Sequence, residues 1–509
     1  AQAILPQAFQ LPRPRERPLP NFPGPAMAAR PVVAAFSPDS TGHLNPMLAL
    51  TGMLASRGWD VRFHAPDGAR PLVEAAGGVW CPLGEEGQTL QDAAREAITG
   101  PLALEPPLDF EKLPVASVPA TLQYMPTLLR SVADLAPSFV LYDAAACWAR
   151  VLADILALPS VACMSACPDS PASRDTSSAK HSPASRAMLD AVVSKLRSLY
   201  GVDFNHNHSY SAYAPYTVIS TSRAWHAGHG DFPADQFHYW GPLVSERRGH
   251  APAQGTEELQ RLLGDPAVGR DGRPLVFCSL GTVTTGNAFR RVSNAVEDYY
   301  RKLCRTAALL PHVTFVFAVG KNSRVDESPP ADGKPARVVR LFDEAVPDNV
   351  VVARFVDQPA LLRRCAAFLT HCGQNSCGEA ALAAVPVVAA PFFGDQIANA
   401  LRFQELGCGL IQCYHAELRP GAEMTPRGPD GKWEPDLGFV SPESLAFALR
   451  RVLEEPSFSE AAMAFRAKQA AELQGSLDER LGHMFAYVQD CAKRHPPRVA
   501  TCLLASAGA

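Results

Sequence analysis

The feature that most narrows what this chain can fold into is an alternation that runs, stops and starts again. Short β-branched runs alternate with segments whose apolar residues recur at helical spacing. PVVAAFS, from Pro31, predicts a strand; PDSTGH is a polar turn; LNPMLALTGMLASRG predicts a helix closing at Gly58; DVRFHAP predicts the next strand. Strands joined through helices must run parallel, because the crossover returns the chain to the same end of the sheet. PSFVLYD (137–143), AAACWARVLADILA and LPSVACMSA extend the pattern, and YTVISTS and FHYWGPL close this half. The Ser-rich stretch 168–186 reads as a mobile loop.

VSERRGHAPAQGTEE (244–258) is polar and aperiodic, so it reads as a linker. The alternation then restarts with LVFCSLG, a helix around 289–309, VTFVFAVG, VVVARF, AFLTH, a helix from about 375, PVVAA and a helix from 396. The expected architecture is therefore α/β in two domains, 31–243 and 259–456. Residues 413–440, with a turn at Asp430-Gly431, form an insertion. Ser441-Pro442-Glu443 opens a further helix, and 457–509 is a helical tail. In sheets of this kind ligands bind beyond the carboxyl ends of the strands, which places the site in the cleft between the halves.

The length of 509 residues also exceeds what a single core of about 250–300 residues supports. A net charge of -4 gives no field suited to nucleic acid. The longest apolar stretch, 380–394, is too short for a bilayer and carries Pro386 and Pro391, so no transmembrane helix is expected. The 13 cysteines include no C-x-x-C pair and read as small buried hydrophobes in a reducing, cytoplasmic compartment. Residues 1–30 open with a Pro-rich stretch to residue 26. It reads as a disordered extension or a residual targeting segment, with Met27 a candidate start.

The richest stretch is FVDQPALLRRCAAFLTHCGQNSCGEAALAAVPVVAAPFFGDQ, Phe355 to Gln396. A strand ends at His371, Cys372-Gly373-Gln374 turns, and a helix starts near Asn375. Its free N–H groups and dipole suit an anion. His371, Asn375 and Ser376 add donors, and Glu379 could accept from a ribose diol. On residue chemistry alone, a capped helix with buried polar groups fits equally well. Ser279, Gly281 and Thr282, after the restarting strand, are small enough for backbone N–H groups to approach phosphate. GTVTTGNA lacks the Lys of a P-loop.

In the first half, His43 lies in the loop after the first strand, at a carboxyl edge, and Asp143 ends another strand there. A histidine is the natural base near neutral pH, and a carboxylate on its second nitrogen would orient it. Each has a plainer alternative as a helix cap. HNHS (206–209) and HAGH (226–229) lack the ligands to complete a metal set, and no D-x-D occurs for a metal-bridged donor.

The run H-C-G-x-N-S-x-x-E, then V-P, P and D-Q, closely resembles the donor-binding signature of family 1 glycosyltransferases. This GT-B group includes plant UDP-glycosyltransferases and bacterial macrolide glycosyltransferases, and G-H-x-N-P at His43 resembles its catalytic-histidine motif. The resemblance implies two Rossmann-like domains facing across a cleft. It also implies inverting, metal-independent transfer of a sugar, with glucose favoured by Gln396, from a UDP-sugar to a small hydrophobic acceptor. His43 would be the base and Asp143 its support. Phe355 would stack on uracil and Gln358 meet its edge. His371, Gly373, Asn375 and Ser376, with Ser279, Gly281 and Thr282, would hold the diphosphate. Glu379 would take the ribose, and Asp395 and Gln396 the sugar. Plant members usually carry Trp at the position of Phe355, which leaves a thymidine diphosphate donor open, and Trp at that of Gln374, which leaves the identity of the sugar open. The acceptor pocket is expected from 85–125 and 165–215, with Phe110, Tyr124 and Met125 as lining or core. Other classes weighed are a donor-binding protein without transfer, a nucleotide-sugar epimerase and a transferase in peripheral contact with a membrane.

Overall fold

The computed structural model describes residues 30–38, 40–83, 112–167, 182–205, 214–244, 257–265, 267–269, 272–281, 290–320, 323–328, 338–392, 394–414, 436–473 and 475–495. Residues 1–29 of the expected extension, most of the insertion 413–440, Phe110, Thr282 and the HNHS stretch lie outside them.

The first lobe is a seven-stranded parallel sheet. Its strands are β1 (Val32–Phe36), β2 (Asp60–His64), β3 (Val79–Cys81), β4 (Phe139–Asp143), β5 (Ser160–Met164), β6 (Tyr216–Ile219) and β7 (Phe237–Tyr239), in the order β3-β2-β1-β4-β5-β6-β7. The second lobe is a six-stranded parallel sheet of β8 (Leu275–Ser279), β9 (Thr314–Ala318), β13 (Val350–Ala353), β14 (Ala367–Thr370), β15 (Val387–Ala389) and β16 (Gly409–Ile411), in the order β13-β9-β8-β14-β15-β16. A small antiparallel sheet of β10 (Val325–Ser328), β11 (Val338–Leu341) and β12 (Glu344–Ala345) stands beside it.

The strands are Val-, Ala- and Phe-rich without alternation because helices cover both faces, and VVAAF and LVFCS are buried almost throughout. Elements without a strong period were missed. β3 and β16 have three residues each, and the hairpin strands are polar. The helix Lys112–Ala133 runs through Pro119 and Pro126, residues that read as loop. Tertiary burial overrides that local signal, because Tyr124 and Met125 on this helix pack into the first-lobe core. They are core residues here. The helix Pro183–Tyr200 begins inside the stretch read as loop, with Ser182 as its cap. The supposed linker gives way to a helix at Glu257.

The tail is two helices, Pro456–Glu472 and Leu477–Arg494. The second returns to the first lobe. Phe485 stacks on Trp59 with centroids 4.8 Å apart, Arg57 pairs with Asp478, and Tyr487 donates to the Ser160 carbonyl at 3.2 Å. The first tail helix braces the crossing, where Gln469 donates to Ser222 at 2.9 Å and Glu472 accepts from the Ala224 N–H at 2.7 Å.

His64 ends β2 fully enclosed, its ring stacked on Phe36 at 4.6 Å and neither nitrogen bonded. Burial pushes its pKa down to about 4 from 6.5. The unfolded chain therefore takes up a proton as pH falls through 6.5 while the folded protein resists until about 4, so stability is lost across that window. For this ring alone the loss by pH 4.5 is about 2 kcal/mol. Urea melts at pH 7 and 4.5 should show His64→Phe losing less stability than the parent by that amount; equal losses would show that the ring is protonated without cost.

Candidate active site

In each sheet the strand order reverses at one place, between β1 and β4 in the first lobe and between β8 and β14 in the second. Chains leave adjacent strands in opposite directions there and open a crevice at the carboxyl ends. His43 and Asp143 stand at the first crevice; Ser279 and His371 stand at the second.

His43 is not in a loop. The helix Thr41–Ala55 already includes it, with Ser40 as N-cap, so the imidazole rides on the first helical turn. Its Nδ1 lies 2.9 Å from Asp143 Oδ1 and 3.1 Å from Ser165 Oγ, and a third of the side chain is exposed. Asp143 is wholly buried at the end of β4, and the same Oδ1 accepts the Ala145 N–H at 2.8 Å. Orienting the ring and tying the turn before the helix Cys147–Leu156 are thus done by one oxygen. Burial acts to lower the His43 pKa, but the charge and bond of Asp143, with a contribution from Asp395, outweigh it and raise it above 6.5.

The second-lobe side is built on a strained turn. Cys372 takes a left-handed φ of 64°, held by its N–H on Thr370 Oγ1 at 3.2 Å and by Asn399 donating to its carbonyl at 3.0 Å. That turn aims the helix Gln374–Ala383 at the cleft. Gly373, its N-cap, contributes no side chain to the free N–H groups. The His371 ring packs against two glycines: a Cβ on Gly281 would sit 2.3 Å from its Nε2, and one on Gly373 2.5 Å. Burial drives the His371 pKa down to about 4, so near pH 7 the ring is neutral and acts as a hydrogen-bonding group rather than a cation. Ser279 is buried at the end of β8, opposite Thr370 in register. Gln358 donates to Ser376 Oγ at 3.1 Å, Glu379 is buried one turn into the helix, and the Phe355 ring is 43% exposed. Gln396 is buried with Oε1 on the Phe392 N–H at 2.9 Å, which holds the loop before the helix Asp395–Glu405. Burial raises the Asp395 carboxyl, while Asn399, the His43 charge and the Gln374 N–H act to lower it.

The lobes meet at this helix start. Asn375 donates across the cleft to the Gly42 carbonyl at 2.8 Å, one residue from His43, and Gln374 donates to Thr221 at 3.3 Å. Gly378 packs so closely that a Cβ would lie 2.8 Å from Pro242. A narrow crevice opens along this seam, lined by Asn45, Ser220, Gln374, Asn375 and Glu379 among others. His43 and the turn before the Gln374–Ala383 helix therefore face each other across one gap. The Gln374 amide is turned to the opposite lobe, where Cys167 also donates to its Oε1 at 3.9 Å. Ser165 was missed at the sequence level. It follows β5 in an apolar run with nothing to set it apart, and only the parallel β4–β5 register brings it to the histidine.

Among the described residues no cluster of three metal-ligating side chains occurs, and no helix is long and apolar enough to cross a membrane. His226 of the HAGH stretch bonds Tyr239 at 2.6 Å instead.

Comparison with known proteins bears on the fold. Residues 337–422 match the erythromycin biosynthesis protein CIII-like C-terminal domain. The NDP-glycosyltransferase YjiC of Bacillus subtilis is 25% identical over 371 residues, covering 72% of this chain and 81% of its own length. The glycotransferase of kitacinnamycin superposes with a TM-score of 0.62 at 21% identity, over 92% of this chain and all of that one. Glycosyltransferase VinC in complex with DTDP superposes with a TM-score of 0.57 at 18% identity, over 90% of this chain and all of that one. The fold is GT-B, two parallel-sheet lobes facing across a cleft.

Proposed function

Taking the chain as a glycosyltransferase of the GT-B fold, we propose that it moves glucose from a uridine or thymidine diphosphate sugar to a hydroxyl of a small hydrophobic acceptor, with inversion at the anomeric carbon. The observation that carries this reading is the His43–Asp143 pair, 2.9 Å apart at the mouth of a cleft whose far wall is a helix N-terminus. Nδ1 is engaged by Asp143, which leaves Nε2 to take the acceptor's proton. As that O–H bond breaks, the oxygen attacks the anomeric carbon from the face opposite the diphosphate. The bond from that carbon to the phosphate oxygen breaks, and the nucleoside diphosphate leaves. Its charge is met by the N–H groups of the Gln374–Ala383 helix start, by Asn375 and Ser376, and by the backbone around Ser279 and Gly281, with no metal required. Thr282, which the family resemblance adds to this cradle, lies outside the described residues. Neutral His371 supplies a hydrogen bond. Glu379 takes the ribose, Phe355 the base, with Gln358 at its edge, and Asp395 and Gln396 the sugar hydroxyls. The exposed Phe355 ring, in place of a larger indole, and the thymidine diphosphate in the VinC structure both favour admitting thymidine as well as uridine.

A thermal-shift screen with UDP, TDP and GDP tests the donor side. UDP or TDP at 100 times its dissociation constant adds about 2.7 kcal/mol, and GDP should leave the transition unmoved. The same protein, incubated with UDP-glucose and with TDP-glucose in the presence of umbelliferone, should yield the aryl glucoside by mass spectrometry. Conversion of the donor sugar without an acceptor would point to an epimerase, and binding without product to a donor-binding protein.

A further inference from the structure

We propose that Ser165 is a positioning residue for the base, sharing the Nδ1 hydrogen of His43 with Asp143 and fixing the ring with Nε2 toward the acceptor. This rests on the glycosyl-transfer reading above.

The geometry converges from three adjacent strands. β4 pairs in parallel with β1 on one side and β5 on the other, with Asp143 opposite Cys163. Asp143 is the last residue of β4. Ser165 lies directly beyond the end of β5. His43 arrives on the helix that follows β1. Two oxygens thus reach one nitrogen, Asp143 Oδ1 at 2.9 Å and Ser165 Oγ at 3.1 Å. A single acceptor leaves an imidazole free to swing about the shared bond; a second acceptor at another angle removes that freedom. Ser165 is itself buried, so its hydroxyl is not held by bulk water.

The proton inventory selects the direction of this bond. A carboxylate only accepts, so Nδ1 must carry hydrogen, and Ser165 takes the second branch through its lone pair. Its hydroxyl hydrogen is then free for another acceptor. When Nε2 gains the proton, the Nδ1–H becomes more acidic and both branches strengthen. Ser165 thereby favours the imidazolium that forms as the acceptor is deprotonated. The charged groups facing His43 are Asp143 from the end of β4 and Asp395 from the start of the Asp395–Glu405 helix; Ser165 adds a neutral dipole between them.

The test compares Ser165→Ala, Ser165→Thr and Asp143→Asn with the parent. One readout needs no substrate: the titration of the His43 ring by NMR on histidine-labelled protein, with the signal identified by its loss in His43→Ala. Ser165→Ala should lower the midpoint by about half to one pH unit, as expected for one lost hydrogen bond to a charged group, and Ser165→Thr should restore it. With UDP-glucose and umbelliferone, Ser165→Ala should lower kcat about three- to tenfold, move the acid limb of the pH profile with the NMR midpoint, and leave the KM for UDP-glucose unchanged. A raised donor KM with an unmoved His43 midpoint would overturn the proposal and make Ser165 a sugar contact. An unmoved midpoint with unchanged kinetics would reduce it to a bystander. Absence of any transfer by the parent would defeat the functional reading, while the NMR arm would still decide whether Ser165 holds the ring.

Discussion

His43→Ala should lower the rate of glycosyl transfer by about 10²- to 10⁴-fold while leaving the thermal shift with UDP or TDP within error of the parent. The two halves of that result follow from the two walls of the cleft. The elements proposed to hold the diphosphate, from Ser279 to Gln396, all belong to the second lobe, and Gln358, Gln396 and Asn399 there bond Ser376, Phe392 and Cys372 rather than the imidazole. Removing the ring therefore leaves the cradle standing. On the other side, an acceptor hydroxyl must lose its proton as it attacks, and His43 Nε2 is the basic group that Asp143 orients. Water can replace a base only poorly, because it has neither the right pKa nor a fixed place. Steady-state kinetics with umbelliferone and a nucleotide thermal shift on the same preparation check both halves. Turnover equal to the parent would remove His43 from the mechanism, and loss of the nucleotide shift would mean that the ring also supports the donor.

Gly281→Ala should act in the opposite way, against the donor. Gly281 has a φ of 80°, in the left-handed region that an L side chain enters at a cost of about 1–2 kcal/mol. The added methyl would also lie 2.3 Å from His371 Nε2 and 2.5 Å from its Cε1. No contact of that length survives, so either the His371 ring or the turn after β8 must move. Both border the region where the diphosphate is placed. The dissociation constants for UDP and TDP should rise about 10- to 100-fold, in line with the backbone strain and the displaced hydrogen-bonding group together. Calorimetric titration measures this directly. Gly68→Ala is the matched control, since nothing lies within 4 Å of the added atom and no positive φ is involved. An unchanged affinity in Gly281→Ala would move the diphosphate away from this turn.

Much of this site was legible in the chain because its chemistry depends on order along the sequence. A helix starting straight after a buried strand puts N–H groups at a carboxyl edge, and HCGQNS after AFLT spells that out. His43 and Asp143 were placed at a carboxyl edge for the same reason, Asp143 ending a strand and His43 following one, although the helix claims His43 one turn earlier than the polar turn suggested. What could not be read were features set by register and by packing between lobes. Ser165 reaches His43 only because β5 lies beside β4. Gln374 serves the seam because Thr221 happens to stand across it. The helix Lys112–Ala133 hides behind Pro119 and Pro126, residues that locally argue against a helix and are outweighed by the burial of Val118, Met125 and Leu129. Periodicity carries local structure; it carries no account of which distant surface will cover it.

The return of the helix Leu477–Arg494 to the first lobe also decides how this protein can be recombined. The chain passes between the lobes twice, once after Val244 and again around Leu473, so the first lobe is assembled from two separate stretches of sequence around a contiguous second lobe. A hybrid made by one splice in the 244–258 region would give the first lobe a foreign closing helix and set an unmatched residue against Trp59. Exchanging the second lobe while keeping the first requires two junctions, with Leu477–Arg494 kept as native sequence, and the second junction belongs between Leu473 and Ser476.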